Sequence, residues 1–207
     1  MRPVRGLGMR GAAVAVLIVV ASCGGESKGV STADPLRDLI TIDQLVAPDF
    51  TVLSPAMHVG ATTLAGGDAI MESALIAGGL QSAASVEFQR TIDFGTSNGP
   101  IDIVATVERF AGAGGASSAY SASVHRLDAV QGAVPTSTGP LGDQAHSISV
   151  VRTAPDGLQA VEITVVWRVA NLVNIIIARG RYGGTRLDDA LVLAGLQTQN
   201  ESATGSA

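Results

Sequence analysis

VEFQRTIDFGTSNGPIDIVATVERF, residues 86–110, is the stretch that decides the fold. Residues 86–94 alternate between apolar and polar side chains, which is the period of a half-buried β-strand. Residues 95–100 are rich in the residue types that turn a chain, and residues 101–110 run back as a second strand. The stretch therefore predicts an antiparallel hairpin as the central unit of the domain.

A second β unit is predicted in the C-terminal third of the chain. Apolar runs and alternation place strands at residues 147–152, 158–169 and 172–179. Residues 154–157, Ala-Pro-Asp-Gly, supply the first turn, and Asn171, which tolerates a positive φ, suits the second. With the hairpin, these strands predict a meandering antiparallel sheet.

Helices are predicted where apolar residues recur three and four positions apart, and Asp68 suits the N-cap of one of them. The predicted helices cover residues 36–46, 68–77, 112–128 and 186–197. A short strand is expected at residues 50–53, ended by Ser54-Pro55, and a loop at residues 134–143, which contain two prolines and two glycines. The order of elements predicts an α+β domain with helices packed on one face of the sheet.

The N terminus has the pattern of an export signal. Residues 1–10 carry three arginines, and residues 11–20, GAAVAVLIVV, form an apolar run too short to span a bilayer. The pattern predicts a signal peptide at residues 1–22, with Met9 as an alternative start. Residues 23–35 are then a linker, residues 36–198 a single α+β domain and residues 199–207 a polar tail.

The residues before the only cysteine of the chain resemble the lipobox of bacterial lipoproteins. An aliphatic Val20 and the small residues Ala21 and Ser22 precede Cys23. The resemblance implies cleavage before Cys23 and a diacylglyceryl thioether on its sulfur, with palmitate or a similar acyl chain. The implied location is the extracytoplasmic face of the cell membrane, held by lipid.

Charge and cysteine content exclude several functions for the mature chain. Removal of residues 1–22 takes three arginines away, so ten basic residues face 18 acidic ones, a difference of −8. An acidic domain without a basic run repels phosphate backbones, so nucleic-acid binding is not expected. With Cys23 as the only thiol, neither a disulfide nor a cysteine-based metal site can form within the chain.

Few residues have the spacing of a catalytic or metal site. No G-x-S-x-G elbow or H-E-x-x-H motif occurs, and His58, His125 and His146 lie far apart in sequence. Asp143, three residues before His146, could orient its imidazole, although a turn before the next strand is the better interpretation. Asp188-Asp189 is better explained as the acidic first turn of a helix than as a cation site. We therefore predict no catalytic, cofactor-binding or metal-ligating residue.

Two further features have structural interpretations. Residues 112–115, Gly-Ala-Gly-Gly, resemble a fragment of a dinucleotide-binding loop, yet they lack the βαβ context that such a loop requires. Trp167 shares a strand face with Val161, Ile163 and Val165, which predicts core packing rather than a ligand platform.

The order of motifs in residues 85–195 is similar to that of small lipoproteins of mycobacteria and their relatives, which are commonly of unknown activity. The similarity lies in the strand ending Val107-Glu-Arg-Phe110, an Ala-rich helix, Leu141-Gly-Asp143 before a strand, and a closing apolar hairpin. A strong preference for arginine over lysine, with Lys28 as the only lysine, also fits an actinobacterial origin.

The function predicted from the sequence is that of a membrane-tethered, non-catalytic binding or accessory module of the cell envelope. Its partner would be an envelope protein or a lipid ligand. The alternatives are a carrier that holds a lipid in an aliphatic pocket, and a cell-envelope hydrolase.

Overall fold

The computed structural model describes residues 30–47 and 49–204. Within them, a seven-stranded antiparallel sheet is combined with four α-helices, which confirms the α+β class. The strands and helices are, in chain order, β1 (Phe50–His58), α1 (Ala61–Ala65), α2 (Ala69–Ala77), β2 (Leu80–Arg90), β3 (Asp102–Phe110), α3 (Ala113–Asp128), β4 (Ala133–Thr136), β5 (Gln144–Thr153), β6 (Gln159–Val169), β7 (Leu172–Arg181) and α4 (Leu187–Thr204).

Two meanders make the sheet, in the order β1-β2-β3-β7-β6-β5-β4. The predicted hairpins are both present, as β2–β3 and β6–β7, although β2 begins earlier than predicted and ends at Arg90. The junction is the antiparallel pair β3–β7, which runs from Asp102 opposite Arg179 to Arg109 opposite Leu172. Each meander is local in sequence, and the junction alone makes them one sheet.

Helices cover both faces of the sheet rather than one. On the first face, α4 and residues 36–47 pack over the odd-numbered residues of β6, including Trp167, which is fully buried as predicted. On the second face, α1, α2 and α3 pack over Phe110, Val166 and Val173. Because side chains alternate along a strand, every central strand sends residues under both layers.

The helix predicted at residues 36–46 is replaced by two 3₁₀ turns, Pro35–Arg37 and Ile42–Gln44. Thr41 lies between them in an extended conformation and forms a capping box with Gln44, which interrupts helical hydrogen bonding. Leu39 and Ile40 are nevertheless buried against the first face. The apolar spacing therefore identified the buried residues correctly but not their backbone.

Both edge strands contain a proline, which the sequence led us to treat as a strand breaker. β1 continues through Pro55 to His58, with one register shift against β2 between Val52 and Ser54 and a second, which includes Pro55, between Ser54 and Met57. β4 contains Pro135 and occupies part of the predicted loop 134–143. A strand at the edge of a sheet tolerates a missing N–H on its outer side, and proline there also discourages pairing with another chain.

Helix α4 continues to Thr204, through residues assigned to a polar tail. Gln197 is fully buried, and its side-chain amide donates to the Thr106 carbonyl and to Asn174 Oδ1, both at 3.1 Å. Glu201 is also buried. Polar side chains therefore anchor the last turns of the helix, where apolar periodicity had already ended.

The turn between β6 and β7 places Ala170, not Asn171, at a positive φ of 51°. Asn171 is instead buried and links three segments. Its amide nitrogen donates to the Phe110 and Ser31 carbonyls at 2.9 and 3.0 Å, and its Oδ1 accepts from the Ser31 N–H at 2.7 Å. Ser31, assigned to the linker, is thus part of the folded domain.

The glycines before and within α3 have a packing role rather than a ligand-binding one. Gly115 lies against the carbonyl of Gly78, the residue that caps α2, so closely that an added Cβ would overlap the carbonyl oxygen. At Gly114, one position earlier, an added Cβ would meet nothing within 4 Å. Of these two glycines of α3, the close approach of α2 therefore requires Gly115 and not Gly114.

We expect Gly115→Ala to lower the free energy of unfolding by about 1–3 kcal/mol or more, because the backbone of Gly78 must move to admit a methyl group. The matched variant Gly114→Ala should leave stability unchanged or raise it by up to about 1 kcal/mol, since alanine favours a helix over glycine. Urea denaturation of both variants measures the difference, and equal stabilities would contradict the close packing of α2 on α3.

Candidate functional site

A cleft of about 440 Å³ lies between the second face of the sheet and the helices α1–α3. Strands β2, β3, β6 and β7 form its floor, and side chains from α1, α2 and α3 form its walls. The volume is in the range of small-molecule sites, which are about 300–1,000 Å³. The cleft exists because α3 covers only part of the sheet.

The pair β3–β7 provides the long axis of the floor. Two of its rows are Thr106 beside Ile175 and Val104 beside Ile177. Glu108 lies beyond one end of these rows, and the pair of Asp102 and Arg179 lies beyond the other. Glu108 lies six positions along β3 from Asp102, a distance of roughly 20 Å. The floor is therefore a largely apolar strip with ionisable side chains at both ends: Glu108 at one end, and Asp102 and Arg179 at the other.

Glu108 is the most unusual side chain of the cleft. It is 1% exposed, and among the described residues no hydrogen-bond partner reaches its Oε2. Burial raises the pKa of its carboxyl to about 8, against the opposing effect of the positive charge of Arg126. At neutral pH the carboxyl is therefore mostly protonated and able to donate a hydrogen bond into the cleft.

Helix α3 places Ser123 and Arg126 on the same wall, because residues three apart share a helix face. The Ser123 hydroxyl is buried and has no hydrogen-bond partner among the described residues. The Arg126 side chain is exposed and reaches towards Gly66, where an added Cβ would lie 3.6 Å from its Nη2. In the described part of the chain, no carboxylate lies within ion-pair distance of Arg126.

Other polar groups of the cleft are satisfied internally. Ser85 Oγ donates to the Ala105 carbonyl at 3.2 Å and lies 3.1 Å from Thr106 Oγ1. At the other end of the floor, Arg179 binds Asp102 and Glu162, each at 2.7 Å. The side chains of Arg179 and Glu162 are 40% and 34% exposed, so this end is open to solvent whereas the Glu108 end is closed.

The sequence candidates lie elsewhere and have structural partners. His146 binds Asp128 of α3, with 2.8 Å between Nε2 and Oδ1, and does not bind Asp143. Asp143 instead accepts from the N–H of Ala170 at 2.8 Å and pairs with Arg168 at 3.2 Å. The arrangement in which Asp143 orients His146 is thus absent, and Asp143 supports the turn at the unusual φ of Ala170.

The remaining candidates are also accounted for by local structure. His58 lies at the end of β1, 3.5 Å from Asp34, and His125 is exposed on α3. Asp189 accepts from the Arg186 N–H at 2.8 Å, at the start of α4, as expected for an acidic first turn. No three His, Cys, Asp or Glu side chains in residues 30–47 and 49–204 are grouped as metal ligands.

The N-terminal predictions lie outside the described residues. They comprise the signal peptide at residues 1–22, the lipobox Val20-Ala21-Ser22 and the lipidation site Cys23. Within the described ranges, no helix has the length and apolar character needed to cross a membrane.

Sequence reasoning missed Glu108, Ser123 and Arg126. Glu108 occupies a polar position of an alternating strand, and such positions are expected to face solvent. Helix α3 covers that face, and nothing in the alternation itself reveals this. The available signal was the predicted helix directly after the hairpin, which must pack on one of its two faces.

The buried carboxyl predicts a specific dependence of stability on pH. The pKa of Glu108 is about 8 in the folded chain, against 4.5 for an exposed glutamate, so the folded state binds more protons between these pH values. The contribution of Glu108 to stability is therefore highest below pH 4.5 and falls by up to about 1.4 kcal/mol per pH unit until pH 8.

Glu108→Gln removes this titration, so its free energy of unfolding relative to that of the parent should be higher at pH 8 than at pH 5, by a few kcal/mol. Urea denaturation at the two pH values measures the effect. Asp43→Asn, which makes the same change at an exposed position, should show no such dependence. A pH-independent difference for Glu108→Gln would show that the carboxyl is not held neutral.

Comparison with known proteins shows the fold and no more. No protein-family model and no curated protein matches the chain. The structure is similar to the crystal structure of the extracellular domain of PknH from Mycobacterium tuberculosis, with a TM-score of 0.53 and 11% sequence identity. The match covers 84% of this chain and 100% of that one. This chain thus shares its fold with an extracellular domain of a mycobacterial protein.

Proposed function

We propose that the protein is a lipid-anchored, extracytoplasmic binding module of the cell envelope, and that its ligand is a small molecule held in the cleft. The observation that carries the proposal is the pair of buried, unpartnered polar groups, Glu108 Oε2 and Ser123 Oγ, in the lining of a cavity large enough for a ligand. Buried polar groups are normally hydrogen-bonded, so two unpaired ones at one cavity indicate that a ligand supplies the missing partners.

Binding without catalysis fits the placement of the reactive residue types. His146 is paired with Asp128, and His58 contacts the Ala83 carbonyl, so neither activates a hydroxyl. Ser118 and Ser121 of α3 donate to helix carbonyls four residues earlier. These side chains have the contacts of structural residues, and the groups left available at the cleft are suited to hydrogen bonding.

A carrier of an apolar or amphipathic ligand is the version of this function that the lining favours. Half of the residues at the cleft are aliphatic or methionine, including Val104, Ile175 and Ile177 on the floor. Burial of apolar ligand surface against such walls is favourable at about 25 cal/mol per Å². The similarity in fold to an extracellular domain, together with the lipobox, supports a location outside the cytoplasm.

Binding in the cleft can be measured with the uncharged dye Nile red and the chain from Gly24 onward, which contains the whole described fold. We expect fluorescence enhancement, and we expect Val104→Phe to weaken dye binding by about tenfold or more, because the ring fills part of the cavity. Val151→Phe is the matched control, since Val151 is exposed on the opposite face of the sheet. Equal binding by both variants would place the dye outside the cleft.

The anchor has its own test, in cells that express the full chain. Cys23→Ala should move the protein from the membrane to the soluble fraction, because two acyl chains give stable anchoring, with each buried methylene contributing about 0.8 kcal/mol. Ser27→Ala, in the linker beyond the lipobox, should remain with membranes. Retention of the Cys23→Ala protein after a high-salt wash would show that another segment anchors the chain.

A further inference from the structure

The closed end of the cleft, at Glu108, favours one sign of charge on a ligand. The carboxyl of Glu108 is mostly neutral at pH 7, whereas Arg126 is charged and has no carboxylate partner among the described residues. The other charges around Glu108 are held elsewhere: Glu87 of β2 accepts from Ser54, Glu72 of α2 accepts from Thr62, and Asp102 and Glu162 bind Arg179. At the closed end, Arg126 is therefore a positive charge that no carboxylate of the described residues pairs with.

One positive charge next to a neutral donor suits a monoanion. A carboxylate is planar and can accept two parallel hydrogen bonds from a guanidinium, and its oxygens can also accept from a protonated carboxyl and a hydroxyl. A phosphate monoester carries about −1.5 to −2 charges at pH 7, more than Arg126 can neutralise in a partly buried site. A cationic ligand would be repelled by Arg126.

The rest of the ligand must be apolar and narrow. Val104, Ile175 and Ile177 continue from the closed end along the floor towards Arg179, over a strip of strand roughly 20 Å long. Leu127, one turn of α3 beyond Ser123, and Val130, just after the end of α3, line the cleft above this strip. Among the described residues, none that lines the cleft is aromatic, so they offer a sugar ring no surface on which to stack.

We propose that the cleft binds a single-chain amphiphile with a carboxylate head group, of the fatty-acid class. Arg126 is its counter-ion, Glu108 and Ser123 donate hydrogen bonds to the head group, and the chain lies along the strip formed by Val104, Ile175 and Ile177. This inference rests on the proposed binding function and adds the chemistry of the ligand. It also accounts for the two buried polar groups of the cleft that have no hydrogen-bond partner among the described residues.

Displacement of Nile red by ligands that share one alkyl chain tests the head group separately from the cleft. The ligands are dodecanoate, dodecanol, dodecyltrimethylammonium and dodecyl phosphate, each below the concentration at which it forms micelles. At pH 7 we expect dodecanoate to bind about tenfold or more tightly than dodecanol, because only the carboxylate forms an ion pair and two parallel hydrogen bonds with the guanidinium. The ammonium compound should bind most weakly.

Arg126→Gln should abolish the preference for dodecanoate over dodecanol, because it removes the counter-ion of the carboxylate. The matched control is Arg152→Gln, which removes an exposed arginine from β5 and should keep the preference. Because Arg126 is itself exposed, its substitution should not unfold the chain, and circular dichroism verifies this.

The affinity for dodecanoate should also fall about tenfold between pH 7 and pH 9, since ionised Glu108 repels the head group and neutralises Arg126. Glu108→Gln keeps an amide donor at the same position, so its affinity should change little over this range. Dodecanol binding should not depend on pH in either protein.

The possible outcomes separate the two proposals. If Nile red fails to bind, or if no ligand displaces it, the cleft is not a binding site and the proposed function fails. If dodecanol displaces the dye as well as dodecanoate does, or if the phosphate or the ammonium compound binds more tightly, the cleft binds ligands but the carboxylate assignment is wrong. A preference for dodecanoate that survives Arg126→Gln would also overturn it.

Discussion

The hydrogen-bonded register between β3 and β7 is the constraint on which the rest of the structure depends. It joins residues as far apart as Asp102 and Arg179, which are separated by 77 positions, whereas every other strand pair links consecutive strands. A slip of one residue would exchange the two faces of β3, placing Glu108 in the aliphatic core and Val107 in the cleft. The β3–β7 register therefore determines the fold, the composition of the cleft floor and the position of the ionisable side chains at its two ends.

Much of the fold follows from patterns that act over short distances. Alternation and turn residues identified both central hairpins, and Asp68 caps α2 as predicted, accepting from two N–H groups. The predictions are wrong where contacts with distant parts of the chain determine the local structure. Pro55 and Pro135 are tolerated because their strands lie at the edges, and α4 is extended because Gln197 binds β3 and β7. The sequence pattern of one segment indicates neither whether its strand lies at an edge of the sheet nor which distant strands its side chains contact.

Short-range sequence patterns do not identify the site, because each of its residues occupies an ordinary position for its residue type. Glu108 fits the polar side of an amphipathic strand, and Arg126 fits the last turn of a helix, where a positive charge is favourable. Only the crossing of α3 over the sheet makes the carboxyl buried and brings the guanidinium near it. Glu108 lowers the stability of the unliganded fold at neutral pH, although the residues around it pack as a consistent fold. Groups that lower stability in this way are concentrated at functional sites.

The link between Ser31 and Asn171 also sets an orientation. Through Asn171, Ser31 is held beside the β6–β7 turn and the last residue of β3, whereas Arg179 lies at the opposite end of the β3–β7 pair. If the chain is anchored through Cys23 as proposed, the anchor would join the domain at the β6–β7 turn, and the open end of the cleft at Arg179 would face away from the bilayer. In this orientation a ligand enters from the aqueous side of the envelope, so the protein would intercept molecules arriving at the membrane rather than extract them from it.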